Sequence, residues 1–486
     1  MTLWVCRFLE AAGTISLWND NVWSLLIQLG IIAVAILVAN SIRRKVKFIK
    51  KSLLPTPVIG GIILLLLKFI PFFDNLIDKD FMEMLTYHAL GLGFISMSLK
   101  VVDDRKEKKD RNKLVVMDTG ILTVNTYLVQ AIVGLGTTLI LAVTVLPSII
   151  GISAESLAAS GVLLPLGYGQ GPGQALNFGK IFEEGGFTGG ASFGLAVAAV
   201  GFLFACIGGV IYMNYLIKKG KLKKNVDGDE SGLVTGEEVS MKNEIPLTES
   251  VDKFTVQFAI ILAVYFATYL VMSGISYLAV EYLGNFGVNT VRPLIWGFNF
   301  LFGVIFSVVA KKIMEGLTKT KLMKRQYPNN FLLNRISGFM FDIMIISGIC
   351  AIEVEDLGGL FIPLLAICLI GGIATLIYVR FVCNKIYPDY PNEAFFSMFG
   401  MLTGTASTGM ILLREIDPKF ETPAANNLVF QSVPAIAFGF PLLLLIPMAD
   451  DSLMTALIVL GIVAAMFVVY NLILFRTFIF KKKSKK

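Results

Sequence analysis

Two glycine-rich, uncharged stretches occupy corresponding places in the two halves of a strongly apolar chain. The first reads Gly167-Tyr168-Gly169-Gln170-Gly171-Pro172-Gly173, the second Thr403-Gly404-Thr405-Ala406-Ser407-Thr408-Gly409. Each is flanked by apolar segments of about ten residues, too short to cross a bilayer. A helical arm of that length rises roughly 15 Å, half of a hydrocarbon core about 30 Å thick. Two such arms meeting at a glycine-rich tip predict a re-entrant hairpin whose tip lies near the bilayer midplane. Irregular backbone is tolerated at that depth only where it is buried in protein or lines a wet cavity. A matched pair of such segments, one per half, is the sequence pattern of a secondary transporter's binding site. Close packing of helices through small residues is the competing reading of either stretch alone.

Composition places the rest of the chain in the membrane. Of 486 residues, 55% are hydrophobic and only 16% charged, against about 25% charged in soluble domains. Leu25–Val38, Leu114–Val145 and Phe193–Tyr215 read as membrane spans. The five cysteines show neither a disulfide framework nor a metal-ligand spacing. His88 is the single histidine, which argues against a histidine metal site or a Ser/His/Asp triad. No large aqueous loop carries a nucleophile, base or metal set, so an enzyme is not expected and no cofactor is implied. The N-terminus lacks signal-peptide features, and Trp4, Trp18 and Trp23 fit interfacial anchors.

The net charge of +7 is not a nucleic-acid signal. It comes from short basic loops: Arg43–Lys51, Lys100–Lys113, Lys218–Lys224, Lys311–Arg325 and the tail Lys481–Lys486. The intervening loops are nearly free of Lys and Arg. By the positive-inside rule the N-terminus is expected outside and the C-terminus in the cytoplasm. The tail is expected to meet the anionic inner leaflet.

Spans are predicted near 21–41, 55–71, 83–99, 114–146 and 188–216, the fourth of them tilted or broken, with a hairpin at 155–187. A polar cytoplasmic linker, 217–253, follows. A second set lies near 254–279, 293–312, 333–351, 359–382 and 424–448, with a hairpin at 391–417. A last span, 452–478, has no counterpart in the first half. The expected fold is thus an all-α polytopic membrane protein. It has two inverted five-helix repeats (1–216 and 254–450), each with a re-entrant hairpin, plus an extra C-terminal transmembrane helix and basic tail (451–486). The starts Pro57-Val58-Ile59-Gly60-Gly61 and Pro293-Leu294-Ile295-Trp296-Gly297 echo each other.

The segment Lys50-Lys51-Ser52-Leu53-Leu54-Pro55-Thr56-Pro57-Val58-Ile59-Gly60-Gly61 resembles an early motif of the bacterial sodium/glutamate symporter family. The Gly167 tip followed by Phe182-Glu183-Glu184-Gly185-Gly186-Phe187-Thr188 is similar to that family's first hairpin. Gln130 matches a polar position in its fourth span, for which the second half carries Gly371. The tips differ from the family's usual pattern at Tyr168, Gln170 and Ser407. The resemblance implies Na⁺-coupled uptake of an acidic amino acid across the bacterial cytoplasmic membrane by a homodimer. The residues alone also admit a di- or tricarboxylate substrate, H⁺ coupling, or a passive channel.

At each tip one arm ends and another begins. The free N–H groups of a starting helix suit a carboxylate, and the free carbonyls of an ending helix suit Na⁺. Substrate contacts are therefore expected at Gly169, Gln170, Gly171, Gly173 and Gln174, with Asn177 nearby, and at Thr405, Ser407 and Thr408. The expected amide donors are those of Gly173 and Gln174, and those near Thr408 and Gly409. Na⁺ ligands are expected among Thr403, Gly404, Gln130, Gln431 and Asp342. Asp342 lies about half-way through a span, where a carboxylate is functional by default; a structural ion pair is the bland alternative. Gln130, Gln431, Asn125 and Asn299, each taken alone, read as interhelical glue.

Overall fold

The computed structural model describes residues 20–476 except 101–112, 145, 223–252, 321, 324–326, 419–420 and 451. Trp4, Trp18, most of the expected linker and the Lys481–Lys486 tail lie outside the described residues. Within them the chain is all-helical. In the first half, α1 is Asp20–Lys45, α2 Thr56–Leu67, α3 Lys79–Ser98 and α4 Lys113–Ala142. The first hairpin begins with α5, Ala154–Ala159, which continues through tighter and wider turns to Gln170. It returns as α6, Pro172–Glu184. Helix α7 runs Gly190–Lys218.

The second half contains α8, Lys253–Phe286; α9, Asn299–Lys319; α10, Asn330–Cys350; and α11, Phe361–Ile386. The second hairpin is α12, Pro391–Leu402, and α13, Ala406–Arg414. Helices α14, Ala424–Phe430, and α15, Ser432–Leu445, precede the last helix α16, Leu453–Leu474.

Seven of the described helices are long and apolar enough to cross a membrane, and a bent pair in the α14–α15 region makes an eighth candidate. Three of the expected spans fall short for local reasons. Helix α2 has only 12 residues because the chain turns after Leu67 and is extended at Ile70, ahead of Pro71. Helix α3 opens with Lys79, Asp80 and Glu83, and the end of α9 carries Lys311, Lys312, Glu315 and Lys319. The fourth span is an unbroken helix of 30 residues. At about 45 Å it exceeds a core of about 30 Å and carries no break. The span expected at 424–448 bends by 49°.

The helices pack in two groups. In one, α3 lies along α10, α2 packs on α10 and α1, and α9 packs on α3 and α8. Gly60 and Gly61 let α2 approach Ile346 and Ile349 of α10 closely. The Lys68 ammonium, 2.6 Å from Glu353, also donates to the carbonyls of Cys350 and Ile352 at the end of α10, where a cation complements the helix dipole. In the other group α4 is central. It packs against α11, α16, α15 and α5, while α6 pairs with α7 and α12 with α13. The last helix is fastened here by Arg476–Asp118 at 2.6 Å and by Tyr378 donating to Asn471 at 3.0 Å.

Candidate functional site

The two tips meet. Gly171 precedes α6 with φ 86° and ψ −177°, a conformation open only to glycine. A Cβ built on it would lie 3.7 Å from Thr405 Cγ2 and 3.8 Å from Met344 Cε. Thr405 in turn precedes α13 in an extended conformation. The starts of two half-length helices, one from each hairpin, are therefore adjacent.

Their free donors can be counted from the bonds already made. Pro172 has no N–H, and the Ala175 amide reaches the Gly171 carbonyl. Gly173 and Gln174 keep free amides. In α13 the Gly409 amide is already bonded to the Thr405 carbonyl at 3.0 Å. The expected donors near Thr408 and Gly409 thus move back one step, to Ala406, Ser407 and Thr408. Ser407 is exposed and Thr408 buried. Gln174, in the first turn of α6, is 1% exposed, yet both polar atoms of its side chain lack a partner among the described residues. A buried amide so placed costs about 1–3 kcal/mol unless something else satisfies it.

The ends of the incoming arms meet at α4. Gln130 is fully buried. Its Nε2 donates to the carbonyl of Leu402, the last residue of α12, at 2.8 Å, and to Thr375 Oγ1 of α11 at 3.0 Å. Its Oε1 has no partner among the described residues and lies 3.2 Å from where a Gly169 Cβ would be. One turn earlier, Tyr127 donates to the Gly169 carbonyl at 3.1 Å. Thr403 is buried, with its hydroxyl donating to the Phe399 carbonyl at 2.7 Å. Gly404 leaves room for Thr408 Oγ1 and Phe202.

The remaining expected residues stand differently. Gln170 is half-buried at the tip and Gly173 packs against Leu90 and Met344. Gln431 accepts from Thr123 at 2.8 Å and points its Nε2 at Met401 Sδ, so both ends of its amide are engaged beside α12. Asp342 is not brought to the tips. Met344 and Gly348 carry the face of α10 that meets Gly171 and Pro172, and two residues on a helix are roughly 200° apart. Asp342 shares instead the side of Ile346 and Ile349, which face α2. It has no hydrogen-bond or ion-pair partner among the described residues.

A profile described as sodium/glutamate symporter matches residues 24–421. The chain belongs to the sodium/glutamate symporter family. It is a multi-pass membrane protein of a Na⁺-coupled transporter family, and both tips lie inside the match. Helices α14 to α16 follow the matched region. No curated protein matches the chain.

A cavity of about 1110 Å³ opens beside α6, lined among others by Glu83, Tyr87, Asn177, Lys180, Glu184 and Trp296. Asn177 donates to the Gly297 carbonyl at 2.9 Å. Lys180 bridges Glu83 of α3, at 2.8 Å, and Glu183, at 3.2 Å. Glu183 also accepts from the Ala191 amide. Sequence reasoning missed Tyr127, Thr375 and the Glu83–Lys180 pair. Only Tyr127 carried a signal, its spacing of three from Gln130 on one helix face.

Proposed function

We propose that the chain imports glutamate, or a similar small acidic amino acid, coupled to Na⁺. The observation that carries this reading is the contact between Gly171 and Thr405, which sets two helix starts side by side. On this reading the free amides of Gly173, Gln174, Ala406, Ser407 and Thr408 serve one anion, together with the side chains of Gln174, Thr405, Ser407 and Thr408. Helix starts favour negative charge, and Gln174 supplies an unused donor and acceptor. Gly169 and Gln170 complete the tip on this reading. The ends of the two incoming arms favour a cation, and Gln130 Oε1, Thr403 and Gly404 supply hard oxygens there, with Gln431 behind them. Asp342 is a separate cation position on the α2 side of α10.

Exchange of the two halves supports an inverted repeat. It turns the α3–α10 and α4–α11 pairs into themselves, α2–α10 into α9–α3, α1–α2 into α8–α9, and α4–α5 into α11–α12. On this reading the group around α4 carries both hairpins past the group around α3 and α10, exposing the site to each side in turn. The outside position of the N-terminus rests on the loop charges, and the homodimer on the family resemblance.

The test is uptake of labelled L-glutamate into proteoliposomes with and without an inward Na⁺ gradient. Accumulation above the external concentration is expected only with the gradient. Flux that stops at equal concentrations would make the chain a channel, and accumulation of another carboxylate would replace the substrate.

A further inference from the structure

We infer that Tyr127 is a positioning residue for the coupling cation, acting with Thr375 through Gln130; this rests on the tip site proposed above. Tyr127 and Gln130 are one turn apart on α4. Each holds a backbone carbonyl from a different hairpin: Tyr127 that of Gly169 at 3.1 Å, Gln130 that of Leu402 at 2.8 Å. A single turn of α4 thereby fixes the ends of both incoming arms relative to each other.

The orientation of the Gln130 amide follows from the same bonds. Thr375 Oγ1 donates to the Gly371 carbonyl at 2.7 Å, so toward Gln130 it accepts. The Leu402 carbonyl can only accept. Both partners therefore require the nitrogen, and Oε1 is turned to the opposite side, toward Gly169, where it is buried and unpartnered. The tyrosine ring fills the space over Gly169 so closely that no side chain fits there. An uncharged oxygen held beside the carbonyl ends of two helices matches a monovalent cation with hard-ligand preference. Tyr127 contributes no ligand of its own. Its hydroxyl holds the Gly169 carbonyl in place, and Thr375 holds the amide in the orientation that offers Oε1.

This divides the work of the tips. The helix starts near Gln174 and Ser407 bind the carboxylate, and the helix ends at Gln130 bind the cation. Changes at Tyr127 should then move sodium dependence alone.

The experiment measures Na⁺-induced thermal stabilisation of the full chain in detergent, with K⁺ as the control, together with glutamate uptake at saturating Na⁺. Tyr127→Phe is expected to raise the half-saturating Na⁺ concentration by about tenfold or more, leaving the glutamate KM at saturating Na⁺ within about twofold of wild type. Thr375→Val removes the other restraint and is expected to do the same; it carries the test where Tyr127→Phe fails to fold. Variants with wild-type Na⁺ dependence, or with KM displaced as far as the Na⁺ midpoint, would overturn the inference alone. A wild-type chain with no Na⁺-specific stabilisation would overturn the cation half of the proposed site itself.

Discussion

Gly171 and Thr405, 234 positions apart in the sequence, face each other across 3.7 Å from the space where a Gly171 side chain would begin. This pair joins the two hairpins at the starts of α6 and α13. Gly171→Ala would force an L-residue into φ 86°, ψ −177°, at about 1–3 kcal/mol. Uptake in proteoliposomes should fall at least tenfold, as roughly 1.4 kcal/mol implies, while size-exclusion behaviour stays that of wild type. Undiminished uptake would remove the tip contact from the mechanism.

Gln174 offers a sharper test because its two outcomes oppose each other. Replacing an unpartnered buried amide with an apolar group of similar size relieves a desolvation penalty of about 1–3 kcal/mol. Gln174→Leu should melt a few degrees higher without substrate, yet lose the stabilisation that glutamate gives the wild type. A variant that is less stable and still stabilised by glutamate would mean that Gln174 serves packing alone.

Asp342 lies on the α2 side of α10, away from the tips. If it is a separate cation position, Asp342→Asn removes a charged contact of about 1.5 kcal/mol or more. The Na⁺ concentration for half-maximal uptake should rise roughly tenfold. Wild-type Na⁺ dependence in that variant would leave Asp342 without a part in coupling.

Lys100 follows the end of α3, outside the helix, and burial pushes its ammonium down to about 8. Between pH 8 and the ordinary lysine range near 10.5, the unfolded chain holds a proton that the folded chain has released. Stability due to this group therefore rises with pH across that window and is flat below it. Melting temperatures from pH 7 to 9.5 should climb relative to Lys100→Met above pH 8. Parallel curves for the two proteins would refute the displaced titration.

Much of this architecture was legible because bilayer chemistry restricts the alphabet. Long apolar runs with basic loops at alternate ends identify α1, α4, α7, α8, α10, α11 and α16 as helices without any tertiary knowledge. The glycine-rich tips were also visible, since Gly171 occupies a backbone conformation closed to other residues. Hydropathy could not give the half-length of α2, which depends on the chain turning after Leu67 and running extended at Ile70 ahead of Pro71. Nor could it say which way Asp342 faces. Mid-span position gives depth, but the side a residue presents is set by which neighbour its helix packs against, here α2 through Ile346 and Ile349.

The sequence by itself determined the class of molecule and the two places where its backbone must be irregular. Both follow from local terms: apolar transfer, charge placement and glycine's freedom. Only the tertiary structure decided that the Gly171 and Thr405 helix starts adjoin, that Gln130 and Tyr127 bind a carbonyl from each hairpin, and that Gln174 is left unsatisfied. Those relations join residues up to 272 positions apart. They exist because close packing brings the segments together and buries their polar groups, which then have to find partners.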